Sequence, residues 1–350
     1  MEKISKRGDA GLSIGYFGAQ GTHAQSLLKL IDPGIKRYVD LTAGGMGMPY
    51  QICLEKLIPV SVNDIGYFSH VCGKAVFTNS FKTYNWDEIL NPMELCPGMI
   101  SKIDSYDWLS VSFKLRLPEK CKNYLDTLCA KNQENYILLA SIGKFLLGDM
   151  TFRGLSFCNT TNEKRQISSF TIEDLQLVIK KYIQYFERKR DQLPIELREQ
   201  NIVSWNNASN FVTTQDFNGA LVYMDPAWPW NNTSADNPYF LSSVIIPTIL
   251  MQSDAPEKMI SFEPWVYGGK EIILKDIFHW VNSALRGGAY RVIVNTQSTN
   301  YPDPINEVEP FLKKHFEIET YLDWKVNSAL ATLNKNSFGE FAWIIKKINI

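Results

Sequence analysis

The sequence predicts a doubly wound α/β fold interrupted by a mostly helical insertion. A βαβ unit reads out of the first 95 residues, α/β patterning returns after residue 200, and the block between them has helical spacing. The expected organisation is therefore one domain built from both ends of the chain, residues 1–98 and 201–350, with residues 99–200 inserted into it. At about 150 residues per domain, a 350-residue chain has room for both.

Taken in order, Ala24–Ile31 is a short helical stretch and Ile35–Leu41 a buried strand. Met48–Leu57 has helical spacing after a run of glycines, and Leu57–Ile65 is a second strand closed by an Asn-Asp-Ile-Gly stop. In the insertion, Thr171 is placed to cap a helix whose first turn holds Glu173 and Asp174. Ile172, Leu175, Ile179, Tyr182, Ile183 and Phe186 follow at three- and four-residue steps, and the helix ends on Arg188-Lys189-Arg190 before Pro194. Beyond residue 200, Gly219–Met224 is an apolar strand running into Asp225-Pro226, Ile272–Leu285 an amphipathic helix and Arg291–Thr296 a strand. Glu309–His315 is a short helix with Pro310 in its first turn, where proline is tolerated, and Phe316–Trp324 and Phe338–Lys346 are closing strands.

Composition narrows the partners. Lys and Arg number 36 against 37 Asp and Glu, a net charge of −1, so nucleic acid could be held only by a local basic patch. The inserted block is the one with positive excess, 16 basic against 13 acidic residues from 100 to 200. The polar N-terminus MEKISKRGDA lacks a secretory apolar stretch, and the most apolar segments, Tyr136–Leu147 and Val244–Met251, are too short to span a bilayer. Six cysteines without a CxxC pair read as reduced thiols of a cytoplasmic protein. Four histidines at positions 23, 70, 279 and 315 share no ligand spacing, so no metal is expected.

Two motifs carry chemistry. YVDLTAGGMG (38–47) puts Gly44, Gly45 and Gly47 between a strand and a helix, where the backbone can approach a ligand and helix amides can meet its polar groups. Asp64 ends the next strand about 20 residues on, placed to accept both hydroxyls of a ribose. A plain turn would explain the glycines alone; with the acid, an adenosine-containing cofactor is the better reading, and the glycine spacing is not that of a dinucleotide site. The second motif is DPAWPW (225–230) at the carboxyl end of a buried strand. Its bland reading is a proline-rich loop with an aromatic lid. Its chemical reading is that the Asp225 carboxylate and the Pro226 carbonyl accept the two hydrogens of an exocyclic base amine. That frees the nitrogen lone pair for attack on a methyl sulfonium, while Trp228 stacks on an extruded base.

In this order of motifs the chain resembles the S-adenosylmethionine-dependent DNA amino-methyltransferases, most of all the Dam-like adenine-N6 enzymes of the α group. YFGAQG (16–21), DLTAGGMG (40–47), VND (62–64), the insertion and DPAW (225–228) follow one another as that family's segments do. The resemblance implies a Rossmann-like class I methyltransferase sheet with helices on both faces and a helical target-recognition insertion. It also implies S-adenosylmethionine as cofactor, double-stranded DNA as partner and catalysis by Asp225, Pro226 and Trp228. Cofactor contacts are implied at Tyr16, Gly18, Asp40, Thr42, Gly44, Gly45, Gly47, Asp64, Asn210 and Phe211. DNA contacts are expected at Arg188, Lys189 and Arg190, although cations at a helix C-terminus also complement its dipole. Gln20 stands where the family has Lys, Thr42 where it has Phe, Asn210 where it has an acid and Ala227 where it has a second Pro. Cytosine-N4 methylation, which uses the same geometry, and a catalytically silent nucleic-acid-binding relative are the alternatives.

Overall fold

The computed structural model describes residues 24–78, 83–104, 117–149, 170–226, 245–253, 270–297, 303–326 and 338–346. From the amino end, α1 (Ala24–Leu28) precedes β1 (Arg37–Asp40), α2 (Gly47–Lys56), β2 (Val60–Asp64) and α3 (Tyr67–Phe77). The helical stretch that follows comprises α4 (Trp86–Ile89), α5 (Met99–Asp104), α6 (Glu119–Lys131), α7 (Tyr136–Lys144), α8 (Ile172–Asp191) and α9 (Ile195–Gln200). The chain then re-enters the sheet as β3 (Ile202–Trp205), α10 (Ala208–Thr214) and β4 (Ala220–Met224). It continues through α11 (Ile246–Met251), α12 (Lys270–Arg286), β5 (Arg291–Gln297), α13 (Glu309–His315), β6 (Ile318–Val326) and β7 (Phe338–Lys346).

The strands form one mixed sheet in the order β3-β2-β1-β4-β5-β7-β6. β1 to β5 are parallel, and β7 lies antiparallel between β5 and β6. Chain order runs outward from β1 to β3, then returns to pair β4 on the other side of β1, so the winding reverses between β1 and β4. In open α/β sheets the crevice beyond the strand ends at such a reversal is where ligands bind.

Both faces of the sheet are covered, which is why its inner strands read as unbroken apolar runs. In β4, Leu221 and Tyr223 join the core of one face, and Ala220, Val222 and Met224 join that of the other. The first core takes α1, α2 and α3 together with the helical stretch. Phe68 and Val71 of α3, Leu138 and Ile142 of α7, and Leu175, Ile179 and Phe186 of α8 belong to one buried cluster. The described helices between 117 and 200 thus share the apolar core of the sheet. On the opposite face α10, α12 and α13 bury Phe211, Ile277, Trp280 and Leu312 against Val222, Val292 and Trp343.

Local chemistry sets the helix boundaries. Thr171 and Asp174 form a reciprocal capping box at the start of α8. Asn135 and Asn207 cap α7 and α10 by accepting the Leu138 and Ser209 amides. Pro310 sits in the first turn of α13, as the sequence predicts. β3 is a strand the periodicity passes over. Four residues at a sheet edge, with Ile202 partly exposed, leave too little alternation to read. Below the sheet, Arg291 donates to the Leu30 carbonyl at 2.9 Å and Asp32 at 3.2 Å while pairing with Glu319 at 3.1 Å, tying the chain before β1 to β6.

The contact between α3 and α7 leaves no room at Gly143, where an added Cβ would run into the Phe68 ring. Gly143→Ala is expected to cost about 1–3 kcal/mol through overpacking, despite the better helix propensity of alanine. Urea unfolding at constant slope measures it, and a Gly143→Ala variant as stable as wild type would show that α3 and α7 separate freely.

Candidate active site

The sheet register lines up acids at its carboxyl edge. Asp40 of β1 lies level with Tyr223 of β4, which brings Thr42 level with Asp225. Met224 lies level with Val294 of β5, which brings Asp225 level with Asn295. Asp64 ends β2 two residues beyond Val62, the partner of Asp40. The carboxyl edge of the sheet at the winding reversal thus carries Asp40, Asp64 and Asp225.

Asp64 and the glycine turn are joined directly. Gly44 N–H donates to Asp64 Oδ2 and Gly66 N–H to Asp64 Oδ1, both at 2.7 Å. The carboxyl group is 7 % exposed, and burial raises its pKa against the lowering effect of those two amides. Two amides occupy two of roughly four lone-pair positions, so the carboxylate retains capacity for ligand hydroxyls. Gly44 takes the left-handed conformation that suits glycine, with φ of 50°. The other left-handed position falls at Met46, φ 58°, a conformation that costs a non-glycine residue about 1–2 kcal/mol. Full burial of the Met46 side chain offsets that strain. Gly45 and Gly47 are buried, Gly47 as the first residue of α2.

Asp40 accepts from the Thr42 amide and the Tyr38 hydroxyl, each at 3.1 Å, and is 1 % exposed. Burial pushes its pKa up to about 7, opposed by those two donors and reinforced by the charge of Asp64. At Asp225 the backbone N–H donates to Thr42 Oγ1 at 2.8 Å, and the Asn295 amide donates to Asp225 Oδ1 at 3.3 Å. Pro226 is buried beside it.

Asn63 is a site residue that sequence reasoning missed. Buried next to Asp64, it donates to the carbonyls of Leu41 and Asn206 and accepts the Asn206 amide, tying the ends of β1 and β3 across β2. Its backbone carbonyl accepts the Ala43 amide of the glycine turn. Its position immediately before the acid was the available signal.

Several assigned residues sit elsewhere. Asn210 is exposed on α10, and Phe211 belongs to the second-face core; the end of β3 is taken by Asn206 and Asn207. Of the three cations at the end of α8, Lys189 is corrected. It is 1 % exposed, with its ammonium 5.4 Å from the Tyr50 ring centre and 5.9 Å from that of Tyr185, so it cannot reach a phosphate. Three residues after Phe186, it continues the inward stripe of the helix. Arg190 is half-buried and paired with Asp191 at 2.9 Å, whereas Arg188 is exposed. Tyr16, Gly18, Gln20, Ala227 and Trp228 lie outside the described residues. Among the described residues no group of His, Cys, Asp or Glu is arranged to hold a metal ion, and no helix is long and apolar enough to cross a membrane.

Compared with known proteins, the chain matches no family model and no curated relative.

A carboxyl group whose folded pKa is raised keeps its proton when the unfolded chain has lost it. Asp40 therefore makes stability fall as pH rises from about 4 to about 7, by at most about 1.4 kcal/mol per pH unit. Asp40→Asn removes this dependence while keeping an acceptor for Thr42, so the stability of wild type relative to the variant is expected to decline between pH 5 and pH 7. Denaturant titrations at each pH check it, and parallel curves would contradict the raised pKa. Lys189→Glu is expected to lose on the order of 3 kcal/mol by burying a carboxylate among aromatic rings. Arg188→Glu, on the exposed face, is expected to change stability by less than about 0.5 kcal/mol. Equal thermal shifts for the two variants would place Lys189 at the surface.

Proposed function

We propose that the protein transfers a methyl group from S-adenosylmethionine to the exocyclic N6 amine of adenine in DNA. The observation that carries this reading is the junction of two sites: Asp225-Pro226 ends β4 and is hydrogen-bonded through Thr42 to the turn that Asp64 closes. The sheet supports it. Its order departs from the all-parallel 3-2-1-4-5-6 dinucleotide arrangement by an antiparallel β7 beyond β5, in keeping with an adenosine cofactor that is not a dinucleotide.

The donor set fits that cofactor. Asp64, held by the Gly44 and Gly66 amides at the strand end, is an acceptor suited to ligand hydroxyls. Asp64 would receive the ribose hydroxyls, with the amides at the start of α2 facing the remaining polar groups. S-adenosylmethionine, when bound, supplies an electrophilic methyl group on a sulfonium.

The residues of the chain do the rest. Asp225 and the Pro226 carbonyl accept the two amine hydrogens and draw the nitrogen toward tetrahedral geometry. Its lone pair then forms the new N–C bond as the C–S bond breaks, and the surplus proton leaves from nitrogen along its hydrogen bond to Asp225 or to water. Asn295 holds the carboxylate oriented. DNA contact is assigned to the basic helical block, with Arg188 as its exposed cation at the end of α8.

Asp64→Ala is a poor test, because the acid also closes the glycine turn. Asp225→Ala is the cleaner one: kcat should fall about 10²–10³-fold, with cofactor affinity by calorimetry within about threefold of wild type. Nucleoside analysis of mixed genomic DNA treated with the enzyme should yield N6-methyladenine. N4-methylcytosine would move the reading to the cytosine amine. Binding without transfer by the wild-type protein would leave the catalytically silent nucleic-acid-binding alternative.

A further inference from the structure

β4 has β1 on one side and β5 on the other, and each neighbour sends one polar side chain to Asp225. From β5, Asn295 is fully buried, lies level with Asp225, and donates to its carboxylate. From the end of β1, Thr42 offers its hydroxyl to the Asp225 backbone N–H at 2.8 Å. Asp225 is the first residue past the end of β4, where a strand loses its backbone partners; the Thr42 hydroxyl accepts in place of a ladder carbonyl. Thr42 is itself held, since its own N–H donates to the buried Asp40 carboxylate.

We propose that Thr42 is a positioning residue: its hydroxyl fixes the backbone of Asp225 to the cofactor turn, while Asn295 fixes the carboxylate. This rests on reading Asp225 as the group that meets the substrate amine. Two features argue for the hydroxyl rather than for the shape of the residue. Thr42 is only half-buried, so packing does not demand a β-branched residue there. Both of its polar groups point at carboxylate-bearing residues of the crevice, so a shift of the turn is passed to Asp225 as a shift of its backbone.

The test uses the full chain with two substitutions. Thr42→Val keeps the shape and deletes the acceptor; Thr42→Ser keeps the acceptor and deletes a methyl. Amide hydrogen exchange of the segment 219–226 and single-turnover methyl transfer are read on each. In the valine variant, exchange at Asp225 should quicken about five- to tenfold, as expected for one lost hydrogen bond. Transfer should slow about 10- to 100-fold through misplacement of the carboxylate. The serine variant should recover both quantities to within about threefold. Wild-type exchange in the valine variant, or a serine variant as impaired as the valine one, overturns the proposal. If the wild-type protein transfers no methyl group, the functional reading falls by itself, and the exchange comparison still decides whether the hydroxyl holds Asp225.

Discussion

Where parallel strands stop, their last amides and carbonyls lose the ladder that paired them, and a buried edge cannot leave them to water. At the carboxyl edge of this sheet the need is met by side chains drawn from the strand ends themselves. Asp64 takes the amides of Gly44 and Gly66, Asp40 takes that of Thr42, and Asn63 bridges the carbonyls of Leu41 and Asn206. These bonds close the turns after β1, β2 and β3. The two carboxylates finish the backbone of the turns after β1 and β2, so neither acceptor can be removed without opening a turn.

This sharing explains what was legible in the sequence and what was not. GALVYM was readable because a strand covered on both faces is apolar at every position, and α8 because its cap and its 3.6-residue period agree. IVSW was not, since four residues at an edge carry no usable alternation. Asp64 and the glycine turn were found as a pair, yet the direct bond between them makes the acid as much a clamp as a contact. Asn63 works through bonds to backbone groups up to 143 residues away, which no local pattern encodes. The resemblance implies a cofactor contact at Asn210, but the Asn207 cap starts α10 earlier and leaves the strand end to Asn206.

The cation run shows a different failure. Read as three neighbours, Arg188-Lys189-Arg190 is a charge cluster; read along the helix, Lys189 is inside, Arg190 half-buried and Arg188 outside. Lys189 tops the inward stripe of Leu175, Ile179, Ile183 and Phe186, and its charge rests against the faces of Tyr50 and Tyr185. The Tyr50 hydroxyl in turn bonds the Lys189 carbonyl and Gln192, so α2, the helix that follows the glycine turn, is anchored to the end of α8. The helical stretch between β2 and β3 is thereby coupled to the helix whose amino end faces the crevice. These bonds make the end of α8 part of the packing that holds α2 in place.

The acids of the crevice work against the fold that holds them. Burial raises the pKa of both Asp40 and Asp64, so near neutral pH each exerts a destabilising effect that the surrounding amides only partly offset. A chain selected for stability alone would replace Asp40 with a neutral acceptor, since Asn could receive the Thr42 amide without a charge. A buried carboxyl group kept at such a cost is a local conflict that selection for stability alone does not explain. That argument does not depend on resemblance to any family. It follows from buried carboxyl groups at adjacent strand ends.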